Sequence, residues 1–325
     1  MISLIVRRLL QLPLILLVIY TITFVLAWSL PGSAVMKDEG RRPPEAVLAA
    51  MEAQYHLDDP WRFYWDYLYN ACGARWVVET LKGSSGNPPR YVFDFGPSFR
   101  YDDWSVNELI ASTLPVSIVL GFSAILIALV IGVSAGCVGA LRPNSTWDFL
   151  TLVIALVGIS LPSFVIGTVL LMIFPIWLGI GRVASWGAAQ DAILPAFTLS
   201  LPFAAYIARL TRLGMIETLG SDYIRTARAK GLSERTVILK HALKNAFLPV
   251  LSYLGPACAF AMTGSFVVER VFAVPGIGQH FVGAVKNKDL FLIMGIALIY
   301  SGMLIVLNLI VDVFYSWVDP RIEQD

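Results

Sequence analysis

Polar residues cut this chain into long apolar stretches. Uncharged runs cover residues 9–36, 109–141, 149–181, 192–208, 245–268 and 290–311. A bilayer core takes about 20 apolar residues per helix, so each run holds or nearly holds one span. The pattern predicts an all-α membrane protein with six transmembrane helices. The fourth run is short, and its helix has to borrow the turn around Leu210, Leu213 and Met215, with Arg209 and Arg212 snorkelling to the interface. Residues 31–108 carry their own pattern. "PPEAVLAAMEAQYHLDDPWRFYWDYLYN" has helical apolar spacing punctuated by Pro43, Pro44 and Pro60. Its aromatics Tyr55, Trp61, Phe63, Tyr64, Trp65, Tyr67 and Tyr69 suit an interfacial belt on a short helical cap, or a docking surface for an external partner. Segment 72–92 reads as an insertion with a flexible Gly/Ser/Pro centre, and Ser105 with Glu108 forms a capping box for the second span.

Composition agrees. The chain is 57% hydrophobic and 14% charged, against about 25% charged in soluble domains, which makes lipid the expected solvent. The first run follows Arg7 and Arg8, but its 22 residues at 9–30 exceed the roughly 7–15 of a signal-peptide core. An uncleaved first helix is expected. Three cysteines and three histidines are scattered, without a disulfide framework or metal-ligand spacing.

Basic residues set the orientation. With a cytoplasmic N-terminus, the inside segments hold 12 of the 24 Lys and Arg, and short outside loops hold four, Arg182, Arg270, Lys286 and Lys288. The other eight lie in the long 31–108 segment, which the rule largely exempts. Both termini are placed in the cytoplasm. The expected domains are a first part at 1–30, an external segment at 31–108, and a five-helix core at 109–325 with a cytoplasmic loop at 215–246.

That loop contains "YIRTARAKGLSERTVILKHALKNAFLPVL" at 223–251. A helix over 223–230 is expected to stop at Gly231, where glycine tolerates a left-handed backbone. Ser233 caps a second helix, and Leu232 and Val237 are placed for a hydrophobic staple. In that helix Thr236, Lys240 and Lys244 make a polar row; Ile238, Ala242 and Ala246, and Leu239, Leu243 and Phe247, make apolar rows. Ala227, Ala229 and Gly231 would let a partner groove approach closely. A basic loop that merely enforces topology is the blander reading, but the glycine turn and its cap specify more shape than topology needs.

Other chemistry is poorly represented. No phosphate-binding G-x-x-x-x-G-K-[ST] loop occurs. The spans carry almost no charge, Asp312 being the main exception. A secondary transporter would show coupling-ion residues and often internal repeats; a membrane enzyme would show a nucleophile or acid–base cluster at bilayer depth. The segment "SFVVERVFAVPGIGQ" at 265–279 reads either as an external gate built on Glu269, Pro275, Gly276 and Gly278 or as an ordinary re-entrant turn.

"TARAKGLSERTVILKHALKNAFLPVL" resembles the cytoplasmic signature loop of binding-protein-dependent ABC importer permeases, in the form typical of their peptide and nickel branch. The family pattern is Glu-Ala-Ala, three residues, Gly, nine residues, then Ile-x-Leu-Pro. Gly231 matches the glycine, Ala227 the second alanine and Leu243 the leucine; Arg225, Thr226, His241 and Lys244 depart from it. "RRLLQLPLILLVIYTITFVL", "FGPSFRYDDWSVNELIASTLPVS" and "NLIVDVFYSWVDPRI" look like the branch's first span, external loop and C-terminal end, and within the branch "PPEAVLAAMEAQYHLDDP" and "DFGPSFRYDDWSVNELIASTLPVS" look most like the oligopeptide permeases, first of two paired subunits. The resemblance implies a type I ABC importer permease bundle in the inner membrane of a bacterium. It implies a non-catalytic subunit that pairs with a second homologous permease, two ATP-binding subunits that hold ATP and Mg, and an external peptide-binding protein. No cofactor is implied in this chain, and no nucleic-acid partner. ATPase coupling would fall on Thr226, Ala227, Arg228, Ala229, Lys230, Gly231, Leu232 and Ser233. Dipeptides, nickel or another solute of the same branch are the alternatives.

Overall fold

A computed structural model describes residues 2–32, 44–82, 90–101 and 103–318. Pro43, the 83–89 centre of the expected insertion and Arg321 lie outside the described residues, as do the side chains of Arg7 and Arg8.

The helices in chain order are α1 (Ile2–Trp28), α2 (Glu45–Gln54), α3 (Pro60–Ala71), α4 (Ala74–Leu81), α5 (Val106–Leu141), α6 (Thr146–Ser160), α7 (Ser163–Leu171), α8 (Ile193–Leu219), α9 (Asp222–Ala229), α10 (Glu234–Thr236), α11 (Leu243–Ala246), α12 (Leu248–Met262), α13 (Phe266–Phe272), α14 (Ile277–Lys286) and α15 (Leu290–Val318). Two wider π-helical turns, Met172–Trp177 and Val237–Ala242, extend α7 and join α10 to α11. No strand forms among the described residues.

Four helices are long and apolar enough to cross a bilayer without interruption: Leu10–Trp28, Val106–Leu141, Ala189–Leu219 and Leu290–Phe314. The fourth run does extend past its basic residues, to Leu219. The other two expected spans are broken. Thr146–Ser160 and Ser163–Trp177 meet at 102°, and Glu234–Ala246 and Leu248–Met262 at 53°. The first break falls where Leu161 turns extended, ψ 129°, immediately before Pro162, a residue that bars helical backbone in its predecessor. The second falls at Phe247, with Pro249 in the first turn of α12; a proline there loses no helical hydrogen bond.

The chain divides into two compact units. One comprises residues 6–115 and 277–303. Its core is aromatic: Tyr20, Phe24, Phe63, Tyr64, Tyr67 and Phe291 are all buried. Three of the aromatics expected in an interfacial belt are therefore core residues instead. Phe63, Tyr64 and Tyr67, three and four residues apart, share the inward stripe, while Trp61 and Trp65 are exposed. Asp59 caps α3 through the N–H groups of Trp61 and Arg62, with Pro60 at the first position. The capping box forms: the Ser105 N–H donates to Glu108 Oε2 at 3.0 Å, and the Glu108 N–H to Ser105 Oγ at 3.2 Å. Within the expected insertion at 72–92, the stretch before its Gly/Ser/Pro centre forms the helix Ala74–Leu81. The Lys288 ammonium closes off the end of α1, donating to the carbonyls of Leu30 and Gly32 at 2.6 and 3.0 Å.

The other unit comprises residues 1–5, 116–276 and 304–325. Here α5 lies directly on α8. A Cβ added at Gly136 would stand 2.6 Å from the Ala208 carbonyl oxygen and 2.6 Å from Thr211 Cβ. Gly136→Leu is expected to lower the thermal unfolding midpoint of the purified chain, at an overpacking cost of about 1–3 kcal/mol. Gly302→Leu, at a position where an added Cβ meets no atom within 4 Å, should leave it near wild type. Equal midpoints for the two variants would contradict this packing.

Candidate functional site

The basic turn is built from the end of α9. Gly231 adopts φ +76°. The Leu232 N–H donates to the Ala227 carbonyl at 3.3 Å and the Gly231 N–H to the Arg228 carbonyl at 2.9 Å, the paired closure of a Schellman motif. Ser233 caps the next turn through the Thr236 N–H, and Arg228 pairs with Glu234 across it at 2.8 Å. Tyr223 Oη accepts from the Asn245 amide at 2.7 Å, tying α9 to α11. The turn is thus a fixed shape held by its own backbone.

Burial sorts the expected coupling residues. Thr226, Arg228, Ala229, Lys230, Gly231, Leu232 and Ser233 are exposed. Ala227 is not: it packs inward with Met215, Ile224, Val237, Ala242 and Ala246. Its smallness serves the fold rather than a partner's approach. The regular rows expected after Ser233 are also corrected. Buried residues recur at Val237, Ala242, Ala246 and Val250, with a first interval of five because the Val237–Ala242 turn is π-helical. Leu239, placed in an apolar row, is 53% exposed; Leu232 is also exposed, at 40%, while Val237 is buried.

The second candidate lies at α13. Glu269 is fully buried, and Ser117 Oγ donates to its Oε1 at 2.7 Å. Ala273 closes α13 in the left-handed region, φ 53°. The chain then folds back so that a Cβ at Gly276 would collide with the Glu269 carboxyl and stand 2.5 Å from Ser117 Oγ. Pro275 is exposed, and Gly278 is buried within α14.

Residues 128–324 match the family described as "Binding-protein-dependent transport system inner membrane component", and residues 1–121 match that family's N-terminal component. The chain belongs to this family. The oligopeptide transport system permease protein OppB of Haemophilus influenzae is 43% identical, and that of Escherichia coli strain K12 44%, each over 99% of both chains. The dipeptide transport system permease protein DppB of Bacillus subtilis is 41% identical over 94% of this chain and 93% of its own. Among solved structures, the inward-facing MetNI methionine ABC transporter aligns with a TM-score of 0.52 and 16% identity, covering 65% of this chain and 96% of that one. An amino acid ABC transporter with histidines aligns at 0.50 and 18%, covering 65% and 94%. The bundle is that of type I ABC importer permeases.

Two features of this inner membrane component escaped the sequence reading. Arg212 pairs with Asp148, both largely buried. Asp289, at the start of α15, is buried and accepts from Ser98 Oγ at 2.7 Å and from the N–H groups of Phe99, Arg100 and Leu292. Burial pushes its carboxyl up, against the lowering pull of those donors. Nothing local in the sequence marks either, because the partners are 64 and 191 residues apart. A cavity of about 860 Å³, lined among others by Tyr55, Tyr67, Arg75, Arg90 and Trp104, opens in the same unit as Asp289.

His280 on α14 shares a 2.8 Å hydrogen bond between its Nδ1 and Tyr101 Oη. Burial, then the Arg100 charge, lowers its pKa from the ordinary 6.5. The folded state thus favours the neutral ring. That stability is present above pH 6.5 and is lost as pH falls through the depressed value. The unfolding midpoint of the membrane component should drop on acidification through this range, and His280→Asn should flatten the drop. The same pH slope in both proteins would contradict the assignment.

Proposed function

We propose that this chain is the transmembrane permease subunit of an ATP-driven oligopeptide importer in a bacterial inner membrane. The observation that carries the reading is the full-length relatedness to oligopeptide permease proteins, over 99% of both chains. A second homologous permease completes the pathway. Two ATP-binding subunits hold ATP and Mg and perform the hydrolysis, and an external peptide-binding protein delivers the substrate. Both termini and the 215–246 loop face the cytoplasm, and residues 31–108 face outward; the bias of Lys and Arg in short loops supports this orientation.

The exposed residues from Thr226 to Ser233 dock on an ATP-binding subunit. Two properties favour them: a backbone closed on itself, which holds its shape under load, and cationic side chains around it. Ala227 supports the turn from within. On the outer side, Glu269, Pro275 and Gly276 form one edge of an external gate, with Gly278 following on α14. The buried carboxyl–hydroxyl contact with Ser117 and the closeness of Gly276 give that segment a defined closed position. The scarcity of other charge in the spans suits a passage for peptides of varied sequence.

The test is ATPase activity of the chain assembled with its partner subunits in nanodiscs, with and without the binding protein and peptides of graded length. Stimulation by the binding protein loaded with oligopeptides, lost in Gly231→Trp, is expected. Stimulation by dipeptides alone would move the substrate to the class named for the Bacillus subtilis relative. No stimulation by any peptide would contradict the reading.

A further inference from the structure

We propose that Arg212 and Asp148 are positioning residues that carry the motion of the basic turn into α6. The inference rests on the coupling role just assigned to that turn.

The pair is built to stay closed. Arg212 Nη2 donates to Asp148 Oδ2 at 2.7 Å while Nε donates to Oδ1, the two-pronged geometry that fixes direction as well as distance. The side chains are 18% and 3% exposed. Separating them would leave an uncompensated charge in low dielectric, a strongly unfavourable state. Asp148 has a further donor, the Asn144 N–H at 2.8 Å, and Asn144 sits at φ 63°. Ser145 caps α6 through the Asp148 N–H. The turn between α5 and α6 is therefore folded around the same carboxylate. α5 converges there too: a Cβ at Gly139 would lie 3.1 Å from Asp148 Oδ1 and 3.5 Å from Arg212 Cδ.

The other end of the connection is equally stiff. Arg212 lies on α8, which ends at Leu219; α9 begins at Asp222. The Gly220 and Ser221 N–H groups bond back to the Glu217 and Thr218 carbonyls, so no slack separates the two helices. Met215 on α8 packs in one cluster with Ile224 and Ala227 on α9. Displacement of the turn reaches Arg212 through α8, and Arg212 hands it to the start of α6. The ends of α5, α6 and α8 then move as one body, leaving the 102° bend before α7 as the place where α6 and α7 change angle. Rigid blocks joined at a break are what alternating arrangements require.

The test uses the complete transporter in proteoliposomes, reading peptide uptake per ATP hydrolysed. Asp148→Asn is expected to lower this ratio roughly tenfold, within the range of coupling effects. Arg212→Lys keeps the charge but loses the fork and should fall between Asp148→Asn and wild type. A purely structural role would reduce uptake and hydrolysis together and leave the ratio intact, which would overturn the proposal. Gly231→Trp separates the two readings. A wild-type ratio in Gly231→Trp removes the coupling role of the turn itself. A loss there with a wild-type ratio in Asp148→Asn removes only the Arg212–Asp148 link.

A second measurement leaves the pair intact and decides the matter if Asp148→Asn fails to assemble. Spin labels at Trp147→Cys and Leu213→Cys, with Cys72, Cys137 and Cys258 replaced by serine, report the distance between α6 and α8. It should stay constant within about 2 Å, the scale of a helix shift, between nucleotide-free and ATP-trapped complexes. A larger change would overturn the proposal.

Discussion

A backbone in hydrocarbon has no water to bond, so each of its polar groups must be satisfied within the protein. That constraint orders the rest of this structure. It makes the apolar runs helices, and it governs how they depart from the α-helix. At Leu161–Pro162 the chain turns through 102° and α7 restarts at once. At Met172–Trp177 the hydrogen bonds widen to π register instead of breaking. The left-handed closure at Gly231 likewise returns the last N–H groups to the carbonyls of α9. The basic turn is rigid because its ends are satisfied locally.

Charge follows the same logic. A carboxylate inside a bundle needs its donors built in. Asp148 has Arg212 and the Asn144 N–H; Glu269 has Ser117; Asp289 has Ser98 and three backbone N–H groups. Each ties elements distant in sequence and so fixes a joint: the α5–α6 turn to α8, α13 to α5, and the 96–101 segment to the start of α15. The moving parts of a transporter are defined by which joints hold and which bend.

Much of this was legible in the sequence. Run lengths located α1, α5, α8 and α15, because helix length and apolar composition are local properties. Ser105 and Glu108, Gly231 and Ser233 declared their caps for the same reason. The aromatic stripe of α3 was legible in principle: Phe63, Tyr64 and Tyr67 share a face that Trp61 and Trp65 do not. The bend at Pro162 was not, since the run is apolar on either side of the break, nor was the π-turn at Val237. A one-residue shift in hydrogen-bond register leaves no mark on composition, yet it turned Leu239 outward. Ala227 read as a small residue for a partner when it is a core residue. Arg212 read as a snorkelling cation because its partner Asp148 lies 64 positions away.

The central claim is that a preformed turn at Gly231 meets an ATP-binding subunit. Photo-crosslinking from a probe at Lys230, exposed on that turn, in the assembled transporter tests it most directly. The account predicts a crosslink to an ATP-binding subunit that a probe at Trp61, on the segment placed outside the membrane, does not give. An assembled complex in which the Lys230 probe reaches no ATP-binding subunit would contradict it.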